Sequence, residues 1–266
     1  MPNFFRNFAQ KLRIICNLPS LHARACSLFD TRTLGDTPID QVLPAYNRQV
    51  ILGIRHFIVE NVRSARRFLK KVEPSIDIDS LLFCELNQHT DRKLIDSYLD
   101  PLRKGEAVGI ISEAGCPAVA DPGADVVAIA QRGGLRVVPL VGPSSIILSV
   151  MASGFNGQSF AFHGYLPIDE GQRMQRLKQL ESRVYAEDQT QLFIETPYRN
   201  LKMMQTLLQV LRPSTRISLA ADITCPDESI HTRTVNEWKR QLGAARTDEE
   251  RQRLVPRCPA IFLIYK

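Results

Sequence analysis

The sequence predicts an α/β protein of two domains, and three observations carry that prediction. From Leu34 onward, short β-rich runs alternate with helical patterns, the mark of repeated β-α units around a mainly parallel sheet. A turn-rich stretch, Ser153-Gly154-Phe155-Asn156-Gly157, breaks that alternation near the middle of the chain. The length of 266 residues suffices for two cores of ordinary size. The domains expected are 34–155 and 156–266, preceded by an extension of different character at 1–33.

Taken in order, the strands predicted in the first half are Arg55–Glu60, Leu81–Leu86, Ala107–Ile111 and Arg136–Val141. Those in the second half are Ser159–His163, Thr190–Glu195, Arg216–Ala220, Ile230–Thr234 and Ala260–Tyr265. Helical spacing marks Asp91–Lys104, Ala124–Arg132, Ile146–Met151, Glu170–Val184 and Asn200–Leu211. The polar, charged stretch 243–256 is expected to be an exposed loop or helix before the last strand.

Composition narrows the function classes. Hydrophobic residues make up 44% and charged residues 23%, an ordinary globular mixture, and no run approaches the roughly 20 apolar residues that span a bilayer. The expectation is a cytoplasmic protein with no membrane partner. Cys16, Cys26, Cys84, Cys116, Cys225 and Cys258 are scattered with no C-x-x-C pair, which argues against a zinc site and a disulfide scaffold and suits a reducing compartment. No metal is expected. The net charge of +6 is unevenly spread: residues 1–33 hold five basic side chains and one acid, leaving 29 basic against 27 acidic residues for the rest. A body this near neutrality is not a general polyanion binder, so any RNA contact must come from a local patch.

Four strand ends carry the candidate chemistry. Val108–Ile111 runs into Ser112-Glu113-Ala114-Gly115-Cys116-Pro117, and Asp121-Pro122-Gly123 opens the next helix. Small residues at a strand's carboxyl edge let a ligand approach the backbone, where open α/β sheets bind their ligands. A plain β-α turn, capped by Asp121 with Pro122 in the first turn, fits the same residues. At the second edge, Val141-Gly142-Pro143-Ser144-Ser145 leads into the apolar helix; Ser144 can cap it, and the free amides there can also face a ligand. In the second half, Phe160–Pro167 and Phe193–Arg199 end in polar or breaker-rich turns. Glu195 and Arg199, four apart, suit a salt bridge, and His163 suits a structural role within its strand.

Together these strings resemble the tetrapyrrole methylase superfamily, which includes precorrin methylases and diphthine synthase. Within it they are most similar to the branch that methylates a cytidine ribose in bacterial small-subunit ribosomal RNA. That branch reads Ser-Asp-Ala-Gly-Thr-Pro, Asp-Pro-Gly, Val-Pro-Leu-Pro-Gly-Pro-Ser, Phe-x-Phe-x-Gly-Phe-Leu-Pro and Tyr-Glu-Ser-Pro-x-Arg. The matches here are Ser112–Pro117, Asp121–Gly123, Val138–Ser144, Phe160–Pro167 and Ile194–Arg199, and the likeness runs from Leu34 to the C-terminus.

The resemblance implies two mixed-sheet α/β domains, a homodimer, and S-adenosylmethionine bound in the interdomain cleft. Donor contacts are expected from Ser112, Glu113, Ala114, Gly115 and Cys116, then Ser145 and Ile146, then Tyr165, Leu166 and the Ala221-Asp222 turn. A ribose hydroxyl must also lose its proton or have its oxyanion stabilised, for which Glu60, Arg63, Glu195 and Arg199 are the candidates. The activity implied is methylation of a ribose 2′-hydroxyl, with ribosomal RNA or the small ribosomal subunit as partner. A methylase of the same fold acting on a small molecule or protein side chain, and an inactive donor-binding homologue, are the rival readings.

The chain departs from that branch at three places. Glu-Asp-Thr-Arg becomes Glu60-Asn61-Val62-Arg63, losing a carboxylate and a hydroxyl. Ile168-Asp169 stands where a lysine follows Leu-Pro. The branch's first strand reads Leu-Tyr-Leu-Ile-Pro just before Leu34, where this chain has Cys26-Ser27-Leu28-Phe29-Asp30-Thr31. One codon choice for those six residues, read one nucleotide later, restores Ala-Leu-Tyr-Leu-Ile-Pro. Residues 1–33 are therefore read as an out-of-frame translation that contributes nothing to the fold. Their Arg-rich, acid-poor composition also fits a presequence or a disordered extension.

Overall fold

The computed structural model describes residues 27–30 (by backbone alone), 37–113, 115–119 and 123–266. In the first half the regular elements are β1 (Ser27–Asp30), α1 (Ile39–Val42), α2 (Ala45–Ile51), β2 (His56–Val59), α3 (Val62–Val72), β3 (Leu82–Glu85), α4 (Asp100–Arg103), β4 (Val108–Ile111), α5 (Gly123–Arg132) and α6 (Ser145–Ser153). In the second half they are β5 (Phe160–Tyr165), α7 (Glu170–Glu187), β6 (Thr190–Glu195), α8 (Asn200–Val210), β7 (Arg216–Ala221), β8 (Ser229–Thr234), α9 (Val235–Ala244), α10 (Asp248–Leu254) and β9 (Ala260–Tyr265).

The first sheet has the order β1-β4-β2-β3, and all its pairings are parallel. A parallel sheet must be covered on both faces, and the period-two alternation of its strands does this. Phe57, Val59 and Ile111 face a cluster with Ile51 of α2 and Phe68 and Leu69 of α3, whereas Ile58, Val108 and Ile110 face Leu99, Leu102 and Val126. Gly109 is a glycine because the Phe57 ring lies where its Cβ would be, at 2.8 Å.

The second sheet, β5-β6-β9-β7-β8, is mixed: only β5 and β6 run parallel, and the other three pairings are antiparallel. The expectation of mainly parallel pairing is thus corrected here, because β9 returns from α10 to insert between β6 and β7. One face packs on Leu177 and Leu180 of α7, Met203 and Leu207 of α8, and Trp238 of α9. Phe193 and Phe262 stack at 5.7 Å within this core, and the buried indole of Trp238 donates to the Ile217 carbonyl at 3.0 Å. The other face, with Leu192, Ile261 and Leu263, is covered by Val150 and Ile146 of α6. A helix that precedes the turn-rich stretch therefore packs on the sheet that follows it.

Eight of the nine predicted strands form. Arg136–Val141 does not, being irregular throughout; Pro139 supplies no N–H to a ladder. The helix predicted over Asp91–Lys104 is instead a 3-10 stretch, Arg92–Leu99, followed by the single turn of α4. Pro101 is the cause, since it cannot donate to the Ser97 carbonyl, which is taken by the Asp100 N–H. The expectation that nothing before Leu34 joins the fold is corrected at Ser27–Asp30, which pairs in parallel with Val108–Ile111 as an edge strand. The rest of 1–33 lies outside the described residues.

Candidate donor cleft

The two sheets point their strand ends toward a shared cavity of about 380 Å³. From the first half it is lined by Glu60 beyond β2, Gly115, Cys116 and Val119 beyond β4, and Ser144, Ser145 and Ile146 at the start of α6. From the second half come Phe162 and Tyr165 of β5, Ile194 and Glu195 of β6, and Ala220, Asp222 and Ile223 at the end of β7. Pro259, Ala260 and Ile261 complete the wall, because antiparallel β9 starts where β6 and β7 end.

Local chemistry fixes each turn. Gly115 has φ +77°, a left-handed conformation that side chains with a Cβ rarely adopt, and no atom lies within 4 Å of where its Cβ would stand. The buried Ser112 hydroxyl donates to the Gly115 carbonyl at 3.2 Å, closing the turn from beneath. Ser144 caps α6, its Oγ accepting from the Ile147 amide at 3.4 Å. Asp222 and Thr224 also have positive φ, 48° and 71°. Their loop is held by the Cys225 N–H on the Asp222 carbonyl at 2.9 Å and, from the first half, by the Thr37 hydroxyl on the Thr224 carbonyl at 2.7 Å. Burial, with the Asp222 carboxylate beside it, pushes the Cys258 thiol up to about 12, so this thiol stays protonated.

Three acidic residues line the cavity. Glu60 Oε1 accepts the Glu113 N–H at 3.4 Å, tying β2's end to β4's. Glu195 is buried; its Oε1 accepts the Thr196 N–H at 2.7 Å, and its Oε2 lies 2.9 Å from Arg199 Nη2 without hydrogen-bond alignment. Asp222 is the third. The remaining wall is apolar, chiefly Ile146, Phe162, Ile194, Ile223 and Ile261.

Of the residues expected to hold the donor, Gly115, Cys116, Ser145, Ile146 and Tyr165 meet in this cavity, and Glu60 and Glu195 line it too, Glu195 with its side chain buried. Ser112, Leu166 and Ala221 are buried behind it, and Glu113 meets it through its neighbours. Arg63 is exposed on the first turn of α3, and Arg199 stands behind Glu195; neither lines the cavity. Ala114 and Asp121-Pro122 lie outside the described residues. Val119, Phe162, Ile194, Ile223 and the start of β9 were not anticipated. The alternation of β5 and β6 could have pointed to Phe162 and Ile194, whereas the β9 residues required knowledge of its antiparallel insertion. His163 is structural in geometry, held by Gln191 at 2.7 Å and Arg176 at 3.3 Å, and burial lowers its pKa. A larger hollow of about 470 Å³ beside α1, α2 and α3 contains none of the expected site residues.

Two of the departures noted in the sequence turn out to be helix caps. Asn61 caps α3, accepting the Ser64 N–H at 3.0 Å, and Asp169 caps α7, accepting the Gln172 N–H at 2.9 Å. An asparagine serves as well as an aspartate in that position.

The fold is that of the tetrapyrrole methylases. The chain superposes on the methyltransferase CobJ (TM-score 0.56, 13% identity, 91% of this chain and 93% of that one). It superposes equally on the cobalamin biosynthetic cobalt precorrin-4 methyltransferase CbiF (TM-score 0.57, 15% identity, 93% and 97%). Among curated proteins, ribosomal RNA small subunit methyltransferase I of Escherichia coli O157:H7 is 32% identical over 219 residues, 82% of this chain and 72% of that one. The proteins of the same name from Vibrio cholerae and Mesorhizobium japonicum are 29% and 34% identical, with 60% and 53% of their own lengths covered. No protein-family profile matches the chain. The chain belongs to the ribosomal RNA small subunit methyltransferase I family.

Proposed function

We propose that this protein transfers a methyl group from S-adenosylmethionine to a ribose 2′-hydroxyl of small-subunit ribosomal RNA. The observation that carries the reading is the cleft itself, where the Gly115 turn, the α6 start and the Asp222 turn converge on one cavity. Its volume falls within the roughly 300–1,000 Å³ of small-molecule sites. Its charge also suits the donor, since Glu60 and Asp222 line a site for a ligand that carries positive charge on its sulfonium and amine. The apolar wall suits an adenine ring, and the amides at the start of α6 suit hydroxyl or carboxylate oxygens.

When bound, the donor supplies an electrophilic methyl group. The chain's task is then to hold the acceptor oxygen in line at near-contact distance, which accounts for much of the rate in such displacements. Glu60, fixed by Glu113, is the group placed to take the hydroxyl proton, while Glu195 is held within the wall by Thr196 and Arg199. Arg199 acts by positioning Glu195. Arg63 lies beyond the β2 edge, where it can meet an RNA phosphate outside the cavity.

We also take the protein to be a cytoplasmic homodimer. No described helix is long and apolar enough to cross a membrane. Val141, Ile147 and Met151 form an exposed apolar surface at and near α6 that a second copy would cover. Labelled-methyl transfer to small ribosomal subunits from a strain lacking this activity tests the function. Transfer to subunits in preference to naked RNA is expected, because a body close to neutral must recognise shape. Absence of transfer to any ribosomal particle moves the acceptor to a small molecule or protein.

A further inference from the structure

A shallow hollow of about 210 Å³ adjoins the donor cleft across the Glu195–Arg199 turn. Glu195 lines the cleft, while Pro197 and Tyr198 of the same turn line the hollow. Tyr198 is 89% exposed and has no hydrogen bond or ring contact among the described residues. Its backbone is nevertheless fixed: Pro197 restricts φ, and the Arg199 N–H closes the 3-10 turn on the Thr196 carbonyl at 2.9 Å. An aromatic ring held out into water on a rigid turn is prepared for a partner rather than for the core.

The rest of the lining gives the partner's chemistry. Lys202, Arg251 and Arg257 supply three cations, and Gln205 and Gln252 supply amides. Lys202 is 3.4 Å from Glu170 and Arg251 is 3.1 Å from Asp248, both exposed pairs of the kind that holds little energy. Arg257 has no acidic partner among the described residues. Cations around an exposed ring suit a ligand with a flat base and a flanking phosphate. They also give an otherwise near-neutral body the local patch that RNA binding demands.

We propose that this hollow seats one nucleotide of single-stranded RNA, its base stacked on Tyr198 and its phosphates met by Lys202, Arg251 and Arg257. The inference rests on the RNA-acceptor reading above and gives the acceptor strand its path into the cleft. Anisotropy of a labelled single-stranded oligoribonucleotide titrated with the full chain tests it. Tyr198→Ala should weaken binding about tenfold or more, since stacking on an aromatic ring is lost. Tyr198→Phe should stay within about twofold. Arg257→Gln should reduce the slope of log affinity against log salt by about 0.7. Donor-product affinity and melting temperature should not move in any of the three. RNA affinity unchanged in Tyr198→Ala, while the wild type still methylates ribosomal RNA, overturns the groove alone. A wild type that neither binds RNA nor methylates it overturns the acceptor reading and the groove together. A change of oligomeric state in Tyr198→Ala makes the hollow a protein interface and overturns the proposal.

Discussion

The two sheets reach the same cleft by different means. The first is wholly parallel, covered on both faces by its own helices, and reaches the cavity through the turns beyond its strands: Glu60 after β2, the Gly115 turn after β4, and the start of α6. The second is mostly antiparallel, borrows α6 to cover one face, and contributes a wall that includes Phe162, Tyr165, Ile194 and Asp222. Parallel strands followed by helices put turns and amides at one edge. Antiparallel insertion of β9 instead builds a continuous wall. The difference implies that a change at the left-handed Gly115, where the backbone itself is special, removes donor binding outright, whereas single side-chain changes on the wall weaken it by degrees.

The largest effect expected from this contrast is on the second core. Trp238→Ala should cost about 3–5 kcal/mol of unfolding free energy, seen as a lower urea midpoint, because a fully buried ring and its bond to Ile217 are both lost. A shift under 1 kcal/mol would mean that the second sheet does not depend on α9. Next comes the backbone of the first half. The wild type should bind the demethylated donor product with roughly micromolar affinity, about 8 kcal/mol, and Gly115→Val should abolish that heat, since valine does not hold φ +77°. Unchanged calorimetry would remove Ser112–Pro117 from the site. Asp222→Asn should weaken the same binding only about tenfold, as one of three acidic residues lining the site of a cationic ligand.

The smallest effect lies far from the cleft. Hydrogen bonds from the Ser75 side chain and backbone, and from Arg48, bring the Glu73 carboxyl down from 4.5 to about 2. A depressed carboxyl contributes stability above its ordinary value that is lost as pH falls toward the folded one. Glu73→Gln should therefore be modestly less stable at neutral pH, with the difference closing between about pH 4.5 and 2 in acid titrations followed by circular dichroism. A difference that persisted below pH 2 would assign the effect to packing.

Much of this organisation was legible in the residues, for reasons that differ between the halves. β4 and β9 were visible because a buried parallel or central strand is a short unbroken apolar run. The Gly115 and Ser144 turns were visible because turn and cap chemistry is local. β1 was hidden because the place of Ser27–Asp30 comes from pairing with β4, 81 positions away. Helices α1, α2, α3 and α9 also went unpredicted, although Thr234 and Glu237 form a complete capping box at the start of α9. For the site, the carboxylates Glu60 and Glu195 were legible as strand ends. The exclusion of Arg63 and Arg199 from the cavity depends on which way a turn faces, which spacing does not encode.

If the cleft delivers a methyl group to a ribose rather than to a base, the modified RNA resists alkali at that position. Alkaline hydrolysis of small-subunit RNA after transfer from labelled donor tests this directly, because a methylated 2′-oxygen cannot attack the adjacent phosphate. The label should survive in alkali-resistant dinucleotides, and Glu60→Gln should sharply reduce their yield. Label released in mononucleotides would place the methyl on a base and contradict the ribose reading.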